Sequence, residues 1–233
     1  MRNMAAAVTT ALTCLLTGAA VSGCGGDGSA DERSAEEILD DANDTMRALK
    51  SVRIDVTADA TKGGTVTSRL VTDLDDRCRA KTTWSEGGSL EQIRLGETDY
   101  VRPDRTYLQR WKGDTSVRSS LKLWVKSPVE EGQDGENGLT SCERSFDSFG
   151  KATKGRITRI DGRNALALTV TDESVKEGTY TFYVATDGKP YLLRTVYKGT
   201  DYHTTTSFSD FDEPLNVQAP KPAEVLDVEG LTD

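Results

Sequence analysis

Few side chains in this chain can do covalent or metal chemistry. They are four cysteines, Cys14, Cys24, Cys78 and Cys142, and a single histidine, His203. Gly-x-Ser-x-Gly, His-Glu-x-x-His and a Walker loop are all absent, so no nucleophile, zinc or nucleotide machinery is announced. His203 sits beside Tyr202 and the threonines at 204–206, with no nucleophile in reach of the pattern, and reads as a strand-face histidine. The carboxylate pairs Asp75/Asp76 and Glu130/Glu131 belong to a turn and a loop, where solvated carboxylates are not set apart as acid and base. Asp40, Asp41 and Asp44 lack the glycine turn and bidentate glutamate of a calcium loop, and read as the wet face of a helix. Gly23, Gly25 and Gly28 match a dinucleotide-loop spacing, yet no strand precedes them and no helix opens on them. No catalytic residue, metal ligand or cofactor is therefore expected.

Cys24 is the exception, because its chemistry is one of processing. Arg2 is followed by an apolar stretch from Ala5 to Ala20, shorter than the ~20 residues that a helix needs to cross a bilayer. The stretch ends in Val21-Ser22-Gly23-Cys24, which resembles the bacterial lipobox. That resemblance implies cleavage before Cys24, a diacylglyceryl group on its sulfur, and often acylation of its new amine. Residues 1–23 are thus expected to be a lipoprotein signal peptide, and 24–33 a glycine-bearing tether. The expected location is the extracytoplasmic face of the cell membrane, held by lipid.

The chain carries a formal charge of −9, and loss of residues 1–23 with Arg2 leaves 28 basic against 38 acidic side chains, a net −10. Such a balance argues against nucleic acid and against docking on anionic lipid through a basic patch. In an exporting compartment the remaining pair, Cys78 and Cys142, reads as a disulfide, with free or redox-active thiols as the alternative.

The elements around these residues follow from periodicity. With 233 residues, 36% of them hydrophobic, one domain is expected. Ser34 and Glu37 form a capping box ahead of Ile38, Leu39, Ala42, Met46 and Leu49, which share one helical stripe running to about Lys50. From Val52 the period becomes two: Val52, Ile54, Val56, Ala58 and Ala60 alternate with polar residues up to a turn at 62–64. Glycine-bearing turns recur at 86–88, 96–97, 112–114, 161–162, 177–178, 187–188 and 198–199, which predicts an antiparallel meander. An acidic loop is expected at 127–140, and a second, shorter helix near 141–150 around Cys142, Phe146 and Phe149. Beyond Asp212-Glu213-Pro214 the chain is expected to run extended.

The lipobox, the first amphipathic helix, the meander and the acidic-Pro tail resemble the LolA-like superfamily. Within it, the resemblance points to the LppX/LprG-type lipoproteins of actinobacteria. It rests on residues 93–102 (IRLGETDYVR), 123–126 (LWVK), 161–168 and 208–214 followed by 219–226, and spans most of 34–228. The resemblance implies an α+β fold in which a curved antiparallel half-barrel of about 8–11 strands wraps the N-terminal helix and the short second helix. The LolA-like domain would occupy 34–228, leaving 229–233 as a C-terminal tail.

Some members of that family hold acyl chains between sheet and helices. Inward strand positions here would include Ala58, Ala60, Thr72, Ala80, Thr82, Ala165, Ala167 and Thr169. The expected ligand-binding set on the concave face is Val56, Ala58, Leu70, Trp84 and Ala167, with Trp111 and Trp124 as further candidates for a pocket mouth. Two readings follow. One is a membrane-anchored carrier or binder of a hydrophobic ligand, a lipid or acyl chain. The other is an envelope interaction or sensor lipoprotein with a filled core, meeting a protein partner through loops such as 127–140. A monomer is expected in either case.

Overall fold

A computed structural model of the chain describes residues 33–112, 123–129, 138–172 and 178–227. The expected signal peptide at 1–23, Cys24, most of the expected tether, the acidic run at 130–137 and the expected tail at 229–233 lie outside the described residues.

Helix α1 (Ala35–Arg47) begins as its sequence dictates: the Ser34 hydroxyl accepts from the Glu37 amide, and the Glu37 carboxylate accepts from the Ser34 amide. It ends at Arg47, three residues before the expected boundary, with Ala48 as its C-cap. Twelve strands follow: β1 (Val52–Ala60), β2 (Gly64–Thr72), β3 (Arg77–Trp84), β4 (Ser89–Leu95), β5 (Thr98–Pro103), β6 (Trp124–Pro128), β7 (Lys151–Ile160), β8 (Arg163–Thr171), β9 (Gly178–Ala185), β10 (Leu192–Gly199), β11 (Tyr202–Ser209) and β12 (Val225–Asp227). They make one sheet in the order β12-β6-β5-β4-β3-β2-β1-β11-β10-β9-β8-β7, antiparallel except for β12 on β6. The sheet curves without closing. Asp161-Gly162 is a tight hairpin turn in which both residues take positive φ, 49° and 84°, as the twist of two-residue hairpins requires.

Alternation gives the sheet two distinct faces. On β3 the inner residues Cys78, Ala80 and Thr82 are buried while Arg77, Arg79, Lys81 and Thr83 are exposed. The inner face receives α1, which packs against β7, β9 and β10 through Ile38, Leu39, Ala42 and Met46. These join Ile54, Leu70, Leu168, Val170, Phe182 and Val184 in the main core.

Three expectations are corrected. Residues 141–150 form no helix; they run as an irregular strap across the inner face. The second helix is instead α2 (Arg105–Lys112), whose first turn is capped by the Asp104 carboxylate accepting from the Tyr107 amide at 2.8 Å. On β8 the buried inner residues are Leu166, Leu168 and Val170, so Ala165, Ala167 and Thr169 face outward. There Ala165 packs with Ala185, Leu193 and Tyr183 in a small second cluster.

Candidate ligand-binding cavity

Strand register lays the inner face out in rows. One row runs Phe208–Ile54–Leu70–Ala80–Gln92 across β11, β1, β2, β3 and β4. The next runs Leu168–Phe182–Thr195–Thr206–Val56–Ser68–Thr82 from β8 to β3. A third runs Val170–Tyr180–Tyr197–Thr204–Ala58–Val66–Trp84. Exposure rises from row to row along β1: Ile54 is buried, Val56 and Ala58 are half-buried, and Ala60 is exposed. The inner face therefore opens toward the Ala60 end.

The strap closes the other end. The Cys78–Cys142 disulfide ties it to β3, and the Thr72 hydroxyl donates to the Cys142 carbonyl at 2.7 Å. The Thr140 amide donates to Gln92 Oε1 at 2.8 Å. Beneath it, Asp99 accepts from Gln92 Nε2 at 3.1 Å and from Arg94 Nε and Nη2 at 3.0 and 2.8 Å. All three side chains are buried, and together they fill the β4–β5 part of the concavity with satisfied polar groups. Further along, α1 fastens the strap: Asn43 Nδ2 donates to Ser148 Oγ at 2.8 Å, Ser148 donates to Asp40, and Arg47 donates to the Phe146 carbonyl.

Between the strap, α1 and strands β1, β9, β10 and β11 remains a cavity of ≈ 390 Å³. Ile54, Val56, Thr195, Thr206, Phe182 and Leu192 form its floor; Phe146, Phe149, Tyr180 and Phe208 form its walls. The walls are edge-packed rings, Phe146 on Phe208 at 5.9 Å and Phe149 on Tyr180 at 4.9 Å. The exposed residues Arg144, Ser145 and Asp147 mark the rim, and the buried Asn43 amide closes one side. Burial, the nearby Tyr202 phenol and Asp172 push the Tyr180 phenol above its ordinary range, so it stays a neutral hydrogen-bonding group. Tyr180, Tyr197 and Tyr202 form a ladder of rings spaced 4.7 and 4.9 Å apart that leads from the cavity to the exposed edge of the face. The Tyr197 ring lies over the facing glycines Gly178 and Gly199, where an added Cβ would meet it at 2.3 and 2.6 Å.

The expected binding residues separate. Val56 lines the cavity, and Ala58 follows it in the next row toward the opening. Leu70 is 1% exposed and belongs to the packed core beside Ile54. Trp84 lies at the far end of its row against Tyr107, ring centroids 5.4 Å apart. Ala167 faces away, because β8 presents its leucines inward. Trp124 is buried on the outer face under the Arg102 guanidinium, and the side chain of Trp111 lies outside what is described. The aromatic walls were not anticipated, although the alternation Tyr180-Thr181-Phe182 signals a ring-bearing strand face. Among the described residues no three His, Cys, Asp or Glu side chains converge as metal ligands. Outside the cavity, Glu91 on the outer face gathers Arg102, Lys81 and Arg79. Burial alone would push its carboxyl up, but the Arg102 hydrogen bond and the charges of Arg102 and Lys81 hold it below the usual glutamate range.

The fold is thus a single unclosed, mainly antiparallel sheet around a leading helix, with an apolar space between them. Two solved structures share this architecture. LprF from Mycobacterium bovis matches with a TM-score of 0.56 and 14% identity over 80% of this chain and 96% of its own. LppX, a lipoprotein of Mycobacterium tuberculosis, matches with a TM-score of 0.53 and 14% identity over 79% of this chain and 98% of its own. No family model matches the sequence, and no curated protein does. The likeness is one of fold.

Proposed function

We propose that this protein is a lipid-anchored extracytoplasmic binder or carrier of a hydrophobic ligand, with Cys24 as the anchor and the apolar cavity as the site. The observation that carries the reading is the ≈ 390 Å³ cavity itself, walled by rings and aliphatic side chains and opening along one end of the inner face. Its volume falls in the ~300–1,000 Å³ range of small-molecule sites, and its affinity would come from apolar burial at ~25 cal/mol per Å². The fold shared with LppX, a lipoprotein, supports it. Nothing in the site calls for covalent catalysis, and the protein works by holding its ligand.

The test is native mass spectrometry and organic extraction of the protein purified from its own host, since extraction leaves any covalent acyl group in place. A reproducible non-covalent lipid is expected. Recovery without one would favour the second reading, an envelope interaction lipoprotein. What favours that reading is the extent to which α1, the strap and the Gln92–Arg94–Asp99 network already fill the concavity.

A further inference from the structure

We infer that the cavity is built for one aliphatic chain and excludes a second, so that its ligand is a single-chain amphiphile rather than a diacyl lipid. The inference rests on the reading that the cavity holds an apolar ligand. At ~30 Å³ for each water-sized group, ≈ 390 Å³ takes about thirteen heavy atoms, which is the bulk of one medium-length chain.

Sheet and strap bound the cavity on two sides. The floor is continuous sheet, and its row Phe182–Thr195–Thr206–Val56 is fixed by register. The ceiling is the strap, held by a disulfide at Cys142 and by Arg47 and the Asn43–Ser148–Asp40 hydrogen bonds along its length. Sideways, toward β2 and β3, the next inner positions after Ile54 are Leu70 and Ala80, already buried in the packed core. A second chain would have to lie along the row of Ala58, Thr204 and Tyr197, beyond the residues that line the cavity and next to the exposed Ala60 and Tyr202. There it would gain less from burial than the first. The same row, with its ladder of phenols, suits the junction of one chain with a polar head, since a tyrosine offers an apolar ring and a wet hydroxyl.

The test uses the otherwise complete chain carrying Cys24→Ala, stripped of bound lipid, with cis-parinaric acid as a fluorescent single-chain probe. One parinarate per protein is expected at saturation. Lyso-myristoyl-phosphatidylcholine should displace it at least tenfold more effectively than dimyristoyl-phosphatidylcholine, both below their aggregation concentrations. Thr206→Phe, which fills the floor beside Val56, should weaken parinarate binding at least tenfold. Arg47→Ala, which frees the strap, should narrow the gap between lyso- and diacyl competitors even if Thr206→Phe folds poorly. Two parinarates per chain, or equal competition by the diacyl lipid, would overturn the single-chain inference and leave the binding function standing. No saturable binding of either lipid class would overturn the binding function itself.

Discussion

Asp99 and Asp55 show how differently the same ion-pair chemistry behaves on the two faces of the sheet. Asp99 is 3% exposed and takes three hydrogen bonds from Gln92 and Arg94, while Asp55 pairs with Arg69, whose side chain is 68% exposed. Removing one partner of a buried pair leaves an uncompensated charge and costs ~3–5 kcal/mol, whereas exposed pairs are worth ~0–1 kcal/mol. Asp99→Ala should therefore lower unfolding stability in urea by about 3–5 kcal/mol, and Arg69→Ala by less than about 1 kcal/mol. Equal effects would mean that the β4–β5 network is not closed off from water. The hairpin that pairs Arg94 with Asp99 was legible from the turn at Gly96-Glu97. Its burial was not, because Thr140 and its neighbours, which cover it, arrive from a distant part of the chain.

At the scale of elements, the strap decides how much of the half-barrel remains open. It has no secondary structure of its own, so its position depends on Cys142, on the hydrogen bonds from α1, and on Phe146 and Phe149 set among rings. With the cysteines 64 positions apart in sequence, the chain-entropy account assigns the disulfide ~4 kcal/mol. The double variant Cys78→Ser/Cys142→Ser should lose up to about that much stability in urea, and amide exchange should rise first across 138–149. Unchanged exchange there would mean that the α1 contacts alone hold the strap. The strap also marks where periodicity failed. Phe146 and Phe149 fit a helical spacing, yet each is satisfied by strand aromatics, Phe208 and Tyr180, that a local window does not contain. On β8 the run Ala-Leu-Ala-Leu is apolar on both faces, so a period of two cannot say which face is inner. Volume settles it: the leucines fill the space under α1, and the alanines fit against the outer cluster around Tyr183. By contrast α1 and β1 were legible, because cap, stripe and alternation agree there.

At the scale of the whole molecule, the proposed arrangement joins an acidic body to a lipid anchor at Cys24. A chain at −9 is repelled by anionic head groups, which argues against peripheral adsorption through charge. Among the described residues no helix is long and apolar enough to span a bilayer. On the reading proposed for Cys24, membrane retention depends on acylation, where two chains contribute ~0.8 kcal/mol per buried methylene and hold firmly while one holds only marginally. This is the mechanism proposed for Cys24, and it makes a sharp distinction between washes. The wild-type protein should stay with membranes through high salt and alkaline carbonate, leave only with detergent, and have an N-terminal mass that starts at residue 24 with acyl groups added. Cys24→Ala should lose the acyl mass. It should also either retain residues 1–23 or leave the membrane fraction altogether, and no change in salt should restore attachment, because the net charge of the chain is negative. Release of the wild type by salt alone would overturn the anchor, and the cavity would then belong to a freely diffusing protein.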